Sequence, residues 1–399
     1  MDGALRITCA QEHLSRGLGI VGRAVGGRTT LPVLNNVLLA SDGERLKLSA
    51  TNLELGITTS IRARVEGSGQ LTVPARLLAD FVTSLPAGQA VLLETNPRTH
   101  SLHLECARYH ANIKGIDPEE FPPLPAADDR PTITLGASLL REMIQQVAFS
   151  AAKDESRPVL TGVNWRLDAA KLVLSAADGF RLAKREAALE QGLPEPLDVI
   201  IPARALTELA RLLDDGDEVD VTVTPNRTQV IFRVRPAAGD AEGPSEGAEK
   251  GEVTLVSRLL EGQFPDLERV IPKTATTRVV VKRLEFITAA RIAALFARES
   301  ANVVKLDITP GEEGGLTPGS VAISANALEV GDNRGELDAN VEGEATFISF
   351  SSEYLGDVLS VLTNDEIALE ITGPLSPAVV RGLGLAEYTH VIMPMHTVR

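Results

Sequence analysis

The sequence predicts an α+β protein built from three tandem repeats of one two-helix, mostly antiparallel domain. Three observations predict it. VPARLLADFVTSLP (73–86) returns as IPARALTELARLL (201–213) and, with other letters, as FSSEYLGDVLSVL (350–362). A second segment recurs as well: LPVLNNVLLA (31–40) leads to KLSATNLEL, and RPVLTGVNWRL (157–167) leads to VLSAADGFRL. Third, 399 residues at roughly 100–200 per domain suit three units of about 130. Matched order over so long a period marks a duplicated domain, and such chains usually make curved or closed objects.

Apolar spacing justifies each helix. Leu78, Phe81, Val82 and Leu85 superpose on Leu206, Leu209, Ala210 and Leu213, then on Leu355, Val358, Leu359 and Leu362. That i, i+3, i+4, i+7 pattern is the buried stripe of a short helix. Pro74 stands at a helix start, where its missing N–H costs nothing. Leu14, Leu18, Val21 and Val25 make a stripe in the first repeat, and Leu140, Met143, Ile144 and Val147 in the second. Six helices follow, at about 10–26, 74–85, 138–156, 202–213, 282–300 and 351–363. Strands are expected around 33–40, 45–50, 54–65, 91–95 and 101–113 in the first repeat, with counterparts in the others. Two stretches break the pattern. PAAGDAEGPSEGAEKG (236–251) and GEEGGLTPG (311–319) lack an apolar period and read as loop insertions.

Composition is that of an ordinary soluble chain, 44% apolar and 23% charged. Aromatics are 4%, so the cores must be aliphatic. Cys9 and Cys106 alone suggest a reducing cytosol and no disulfide framework. No apolar run approaches about 18–20 residues, and the N-terminus lacks a signal-peptide pattern, so a cytoplasmic protein is expected. Net charge is −15, which by itself argues against a nucleic-acid partner. The six helices, however, hold 11 Arg/Lys against 10 Asp/Glu. Cation-bearing helices in an acidic shell could form a basic lining, although ordinary solvated helix faces explain the same letters.

Several motifs fail on their context. Gly17, Gly19 and Gly22 spell G-x-G-x-x-G, but inside an amphipathic stripe rather than at a strand–helix turn, so they read as helix packing. His100, His103, Cys106 and His110 suggest a metal cluster. His103 and Cys106 differ by an odd number, however, and point to opposite faces of a strand, with Leu102, Leu104 and Cys106 buried. If Ala107-Arg108 is the turn, Glu105 sits across from His110 as a surface pair. No metal or cofactor is expected. Ser150 and Lys153 match S-x-x-K without its companion motifs. Nothing assembles a nucleophile, a base and an orienter, so no enzyme is expected.

YTHVIMPMHTVR (388–399), GQFPDLERVIP (262–272), GGRTTLP and AADGFRLA resemble the bacterial DNA polymerase III beta subunit family of sliding clamps, in order and over essentially the whole chain. The resemblance implies domains at 1–128, 129–273 and 274–399. It further implies a head-to-tail homodimeric ring around duplex DNA, with helices lining the hole. Carried over by position, Arg28, Lys153, Arg157 and Arg204 contact DNA, with Arg76 and Arg291 added from their helices. Polymerase, clamp-loader and repair-protein peptides would bind a cleft between the second and third domains. Its wall would be Leu160, Ala177, Gly179, Phe180, Arg181 and Leu182, then Pro265, Arg269, Val270, Leu375 and Pro377, then Val391, Ile392, Met393, Pro394 and Met395. Tyr109 and Ala111 on one side, Leu295 and Phe296 on the other, would form the subunit interface. The chain departs from the family at Ala177, where threonine is usual, at Ala111, where leucine is usual, and at His396 with the Thr397-Val398-Arg399 extension. These departures bear on packing and partner preference.

Overall fold

A computed structural model describes residues 4–27, 31–125, 131–190, 192–193, 195–237, 251–299, 301–312, 318–327 and 329–395. The centres of both predicted insertions lie outside the described residues, as do Arg28 and residues 396–399. Six α-helices are present among the described residues: α1 (Gln11–Val21), α2 (Ala75–Ser84), α3 (Ala137–Val147), α4 (Ala203–Leu212), α5 (Arg283–Ala297) and α6 (Ser352–Val361). Strands Gln70–Pro74, Leu197–Pro202 and Thr346–Ser351 run directly into α2, α4 and α6, the thrice-repeated element. Its apolar stripe is buried in all three copies, save that Phe81 is only half-buried.

The first and third predicted helices are too long. The first stops at Val21 and continues as a 3-10 turn over Gly22–Ala24, because glycine is a poor helix former. The third stops at Val147, with a 3-10 turn at Ala148–Ser150. Beyond it Asp154 Oδ1 accepts from Ser156 N at 3.0 Å, a local bond that competes with helix. The strand expected at 54–65 is two, Leu55–Arg62 and Arg64–Gly67, which join different sheets.

The chain forms two compact units. One comprises residues 1–141 and 205–259, the other 142–204 and 260–399. The first holds an antiparallel five-stranded sheet ordered Arg64–Gly67, Arg6–Ala10, Ala90–Asn96, Ser101–Cys106, Tyr109–Lys114. It also holds an eight-stranded sheet. There Val253–Arg258 pairs with Leu55–Arg62 (Val253 opposite Thr59), so strands from two sequence repeats share one sheet. α1 packs on that sheet and against α2. Gly17 is the close approach: a Cβ there would lie 2.6 Å from Leu48 Cδ1. Gly19 and Gly22 face open space, so one glycine of the motif packs and none sits at a strand–helix turn.

The second unit carries a twelve-stranded sheet, and again two repeats join in it. Arg181–Ala188 pairs with Tyr388–Ile392, Arg181 opposite Ile392 and Arg185 opposite Tyr388. Repeat boundaries and unit boundaries therefore differ, because backbone ladders cross between repeats. Cys9 and Cys106 are both free and buried, and burial pushes the Cys9 thiol up to about 12. Such thiols are inert.

Candidate functional site

The densest gathering of sequence-predicted site residues is in the second unit, around the turn between strands Lys171–Ala177 and Arg181–Ala188. Asp178 Oδ1 accepts from Phe180 N at 2.8 Å and from Arg181 N at 2.9 Å. Gly179 takes φ +94°, a conformation costly for any residue with a Cβ. The turn holds the Phe180 ring outward, 63% exposed. Met393 N donates to Phe180 O at 2.8 Å, which ties the C-terminal segment to the same turn. Met395 N donates to Ser349 O at 2.7 Å, so the segment is anchored at both ends.

Beneath the turn, Ala177, Leu182, Val379 and Val391 form a buried apolar cluster, with half-buried Leu267 and Ile271 packed on it. Of the other residues expected in the cleft, Leu375, Val270 and Met393 are exposed, as are Pro265 and Arg269. Leu160 is buried, and Pro377, Pro394 and Met395 are half-buried. Val391 and Ile392 are fully buried strand residues, so they make floor rather than wall. Sequence reasoning missed Leu267, Ile271 and Val379. The i, i+4 spacing of Leu267 and Ile271 within FPDLERVIP was the available signal.

Arg181 is corrected outright. Its side chain is 2% exposed and cannot line a surface. Nε bonds Asp178 Oδ2 at 3.0 Å, Nη1 bonds Asp357 Oδ2 on α6 at 2.6 Å, and Nη2 donates to Phe149 O at 2.9 Å. The guanidinium also lies 4.3 Å from the Tyr354 ring centroid and 5.3 Å from that of Phe149. A planar, always-charged fork suits such a cage, and it fixes the turn from below. Next to it His390 is fully buried and stacks on Phe149 at 5.5 Å. Desolvation, with the Arg181 charge adding, pushes the imidazole down to about 3, so it is neutral at ordinary pH.

Among the described residues, the predicted DNA contacts lie on helices and in loops. Arg76 on α2, Arg204 on α4 and Arg291 on α5 are exposed. Arg76 has Asp80 one turn along at 3.8 Å. Lys153 is exposed and pairs with Glu353 at 3.2 Å. Arg157 is exposed, and its Nη1 lies 4.0 Å from where a Cβ on Gly179 would stand, which sets it beside the apolar rim. Of the interface residues, Tyr109 is exposed and Ala111 half-buried on the last strand of the five-stranded sheet. Leu295 is exposed and Phe296 half-buried on α5. No helix among the described residues is long and apolar enough to cross a membrane.

Three repeats of a two-helix antiparallel domain, with exposed apolar side chains at their strand junction, define a binding scaffold of the clamp type. Residues 5–125, 134–266 and 268–396 match, in turn, the N-terminal, central and C-terminal domain models of the DNA polymerase III beta subunit. A curated relative, the beta sliding clamp of Staphylococcus aureus (strain Mu50 / ATCC 700699), is 32% identical over 98% of this chain and 100% of its own. The solved DNA polymerase sliding clamp of Bacillus subtilis superposes with TM-score 0.87 at 31% identity, covering 99% of this chain and 100% of that one. A Pseudomonas aeruginosa sliding clamp solved bound to griselimycin gives 0.83 at 28%, covering 99% of this chain and 100% of that one. The chain belongs to the DNA polymerase III beta subunit family. It is a DNA sliding clamp, a processivity factor and not a catalyst.

Proposed function

We propose that two copies of this chain, each of domains 1–128, 129–273 and 274–399, close head to tail around duplex DNA in the cytoplasm. Partner proteins then dock short peptides on the rim around Phe180. The single observation that carries the docking half is exposed Phe180, tied to exposed Met393 through the Met393 N–Phe180 O bond, beside the buried apolar cluster of Ala177, Leu182, Val379 and Val391. Such a surface suits leucine- and phenylalanine-like anchors, and methionine adapts to several of them. Replicative polymerase, clamp loader and repair proteins are the partners this reading expects. That a Pseudomonas aeruginosa clamp was solved with griselimycin bound supports a ligand-holding surface in such proteins.

For ring closure, the edge strand Tyr109–Lys114 and the long strand Gly331–Gly343 are suitable halves. Strand Thr277–Lys282 pairs with the latter only at residues 340–343, which leaves 331–338 without a strand on that side among the described residues. A second copy's edge strand would add there, with Tyr109 and Ala111 meeting Leu295 and Phe296. Similar units joined at a repeated angle close when that angle divides a full turn. Arg28, Arg76, Lys153, Arg157, Arg204 and Arg291 would then meet phosphates without reading bases, attracting any duplex while permitting sliding.

The test is topological. Loaded clamp should stay on a covalently closed plasmid in high salt and be lost when the plasmid is linearised. Phe296→Asp should elute as a monomer and be retained on neither. Equal retention of the unaltered chain on both plasmids would remove the ring.

A further inference from the structure

We infer that the outer face of the hairpin Ser101–Cys106/Tyr109–Lys114 binds a divalent transition-metal ion through His103, Glu105 and His110. This goes beyond the clamp reading and does not depend on ring closure. The histidines fail as a linear motif, because His103 and Cys106 face opposite sides. Strand pairing assembles a different set. Leu102, Leu104 and Cys106 are buried on the inner face, which leaves His103 and Glu105, two residues apart, on the outer one. The turn at Ala107 (φ +53°) brings the next strand back in register, with Glu105 opposite His110 and His103 opposite Asn112. One donor atom from each of His103, Glu105 and His110 lies within 4.8 Å of the other two. The imidazoles stand nearly parallel, 17° between planes and 6.2 Å between centroids.

This set suits a metal better than it suits its own members. Glu105 Oε2 and His110 Nδ1 are 3.9 Å apart, an ion pair at most and too long for a hydrogen bond. Donors on a tetrahedral ion with bonds of about 2.0–2.2 Å stand about 3.3–3.6 Å apart. Exposed and half-buried side chains close that difference by small rotations. Asn112 Oδ1 lies 3.0 Å from His103 Nδ1, the kind of outer contact that orients a ligating imidazole and fixes its tautomer. The neighbouring carboxylate, Glu94 opposite His103, is held by Arg6. Two imidazoles and one carboxylate select zinc-like ions over magnesium or calcium, and water would fill the remaining position. Tyr109 and Ala111 share the inner face of the hairpin with Cys106 and Leu104, so the ligands turn away from the residues assigned to ring closure.

The experiment is a zinc titration of the full chain against a chromogenic chelator, with a cobalt titration read in the visible range for the ligand field. One equivalent should bind tightly. His103→Ala and His110→Ala should each abolish it, and Asn112→Ala should weaken it by ~10–100-fold, the usual effect of losing an outer partner. His100→Ala, a neighbouring histidine outside the set, should leave it unchanged. Every altered side chain is at or near the surface, and unchanged thermal melts would establish that the variants fold. No tight equivalent in the unaltered chain would overturn the site, as would an equivalent that survives His103→Ala with His110→Ala. Loss on His100→Ala alone would do the same.

Discussion

At the Phe180 rim, the proposed peptide recognition would rest on shape: an exposed ring beside a buried floor, on a turn that Arg181 pins from below. At Arg76, Arg204 and Arg291 the proposed DNA contact would rest on charge alone, carried by exposed side chains on solvated helix positions. In the proposed reading the two regions answer to different partners. A peptide anchor must find one geometry, so the residues that receive it are fixed through hydrogen bonds and packing. A duplex that slides must find no single geometry, so its contacts are long, flexible and interchangeable. If the proposal holds, the difference teaches that one molecule can be specific for proteins and indifferent to DNA sequence without any allosteric device.

The largest expected effect breaks the rim from beneath. Arg181→Ala removes the partner of Asp178 and Asp357 and leaves a carboxylate in a poorly solvated site. Breaking a buried ion pair typically costs about 3–5 kcal/mol, and this variant should fall in the lower half of that range because Asp357 is partly exposed. Urea unfolding measures it, and peptide affinity should drop along with stability. Stability unchanged within error would mean that the turn does not need its strut.

Phe180→Ala sharpens the comparison by separating binding from folding. The ring is 63% exposed, so stability should change by less than about 0.5 kcal/mol, as surface substitutions do. Affinity for a Gln-Leu-x-Leu-Phe pentapeptide should fall by about 2 kcal/mol, the size of a hot-spot contact. Titration calorimetry reads this directly. Equal affinity would move the anchor site elsewhere.

Much of this was legible in the letters, and for physical reasons. The repeats and their helix stripes could be read because a buried face imposes a period, and Leu206, Leu209, Ala210 and Leu213 are buried as that period requires. That Ala177, Leu182 and Val391 share one neighbourhood was also readable from the resemblance. Burial within it was not. Arg181 looks like a surface cation in AADGFRLA, and only the approach of α6, 176 residues away, closes the cage with Asp357. The hairpin histidines mislead in the same way. Linear spacing separates His103 from His110, and cross-strand register reunites them with Glu105. Helix lengths failed at Gly22, since glycine is a poor helix former, and at Val147, where the α-helix tightens into a 3-10 turn well before Asp154.

The smallest effect concerns the charged region and decides whether its contacts are as interchangeable as the comparison requires. Arg204→Ala should weaken binding to linear duplex uniformly across sequences. The slope of log affinity against log salt should become shallower by about 0.9, the value for one lost phosphate contact on B-form DNA. Peptide affinity should not move, because Arg204 stands on α4 and takes no part in the turn or its floor. Arg76→Ala should do less, since Asp80 at 3.8 Å already offsets part of that charge. Fluorescence anisotropy across a salt series on two unrelated duplexes supplies both numbers. A sequence-dependent loss at Arg204 would make it a base-reading contact and erase the contrast between the two regions.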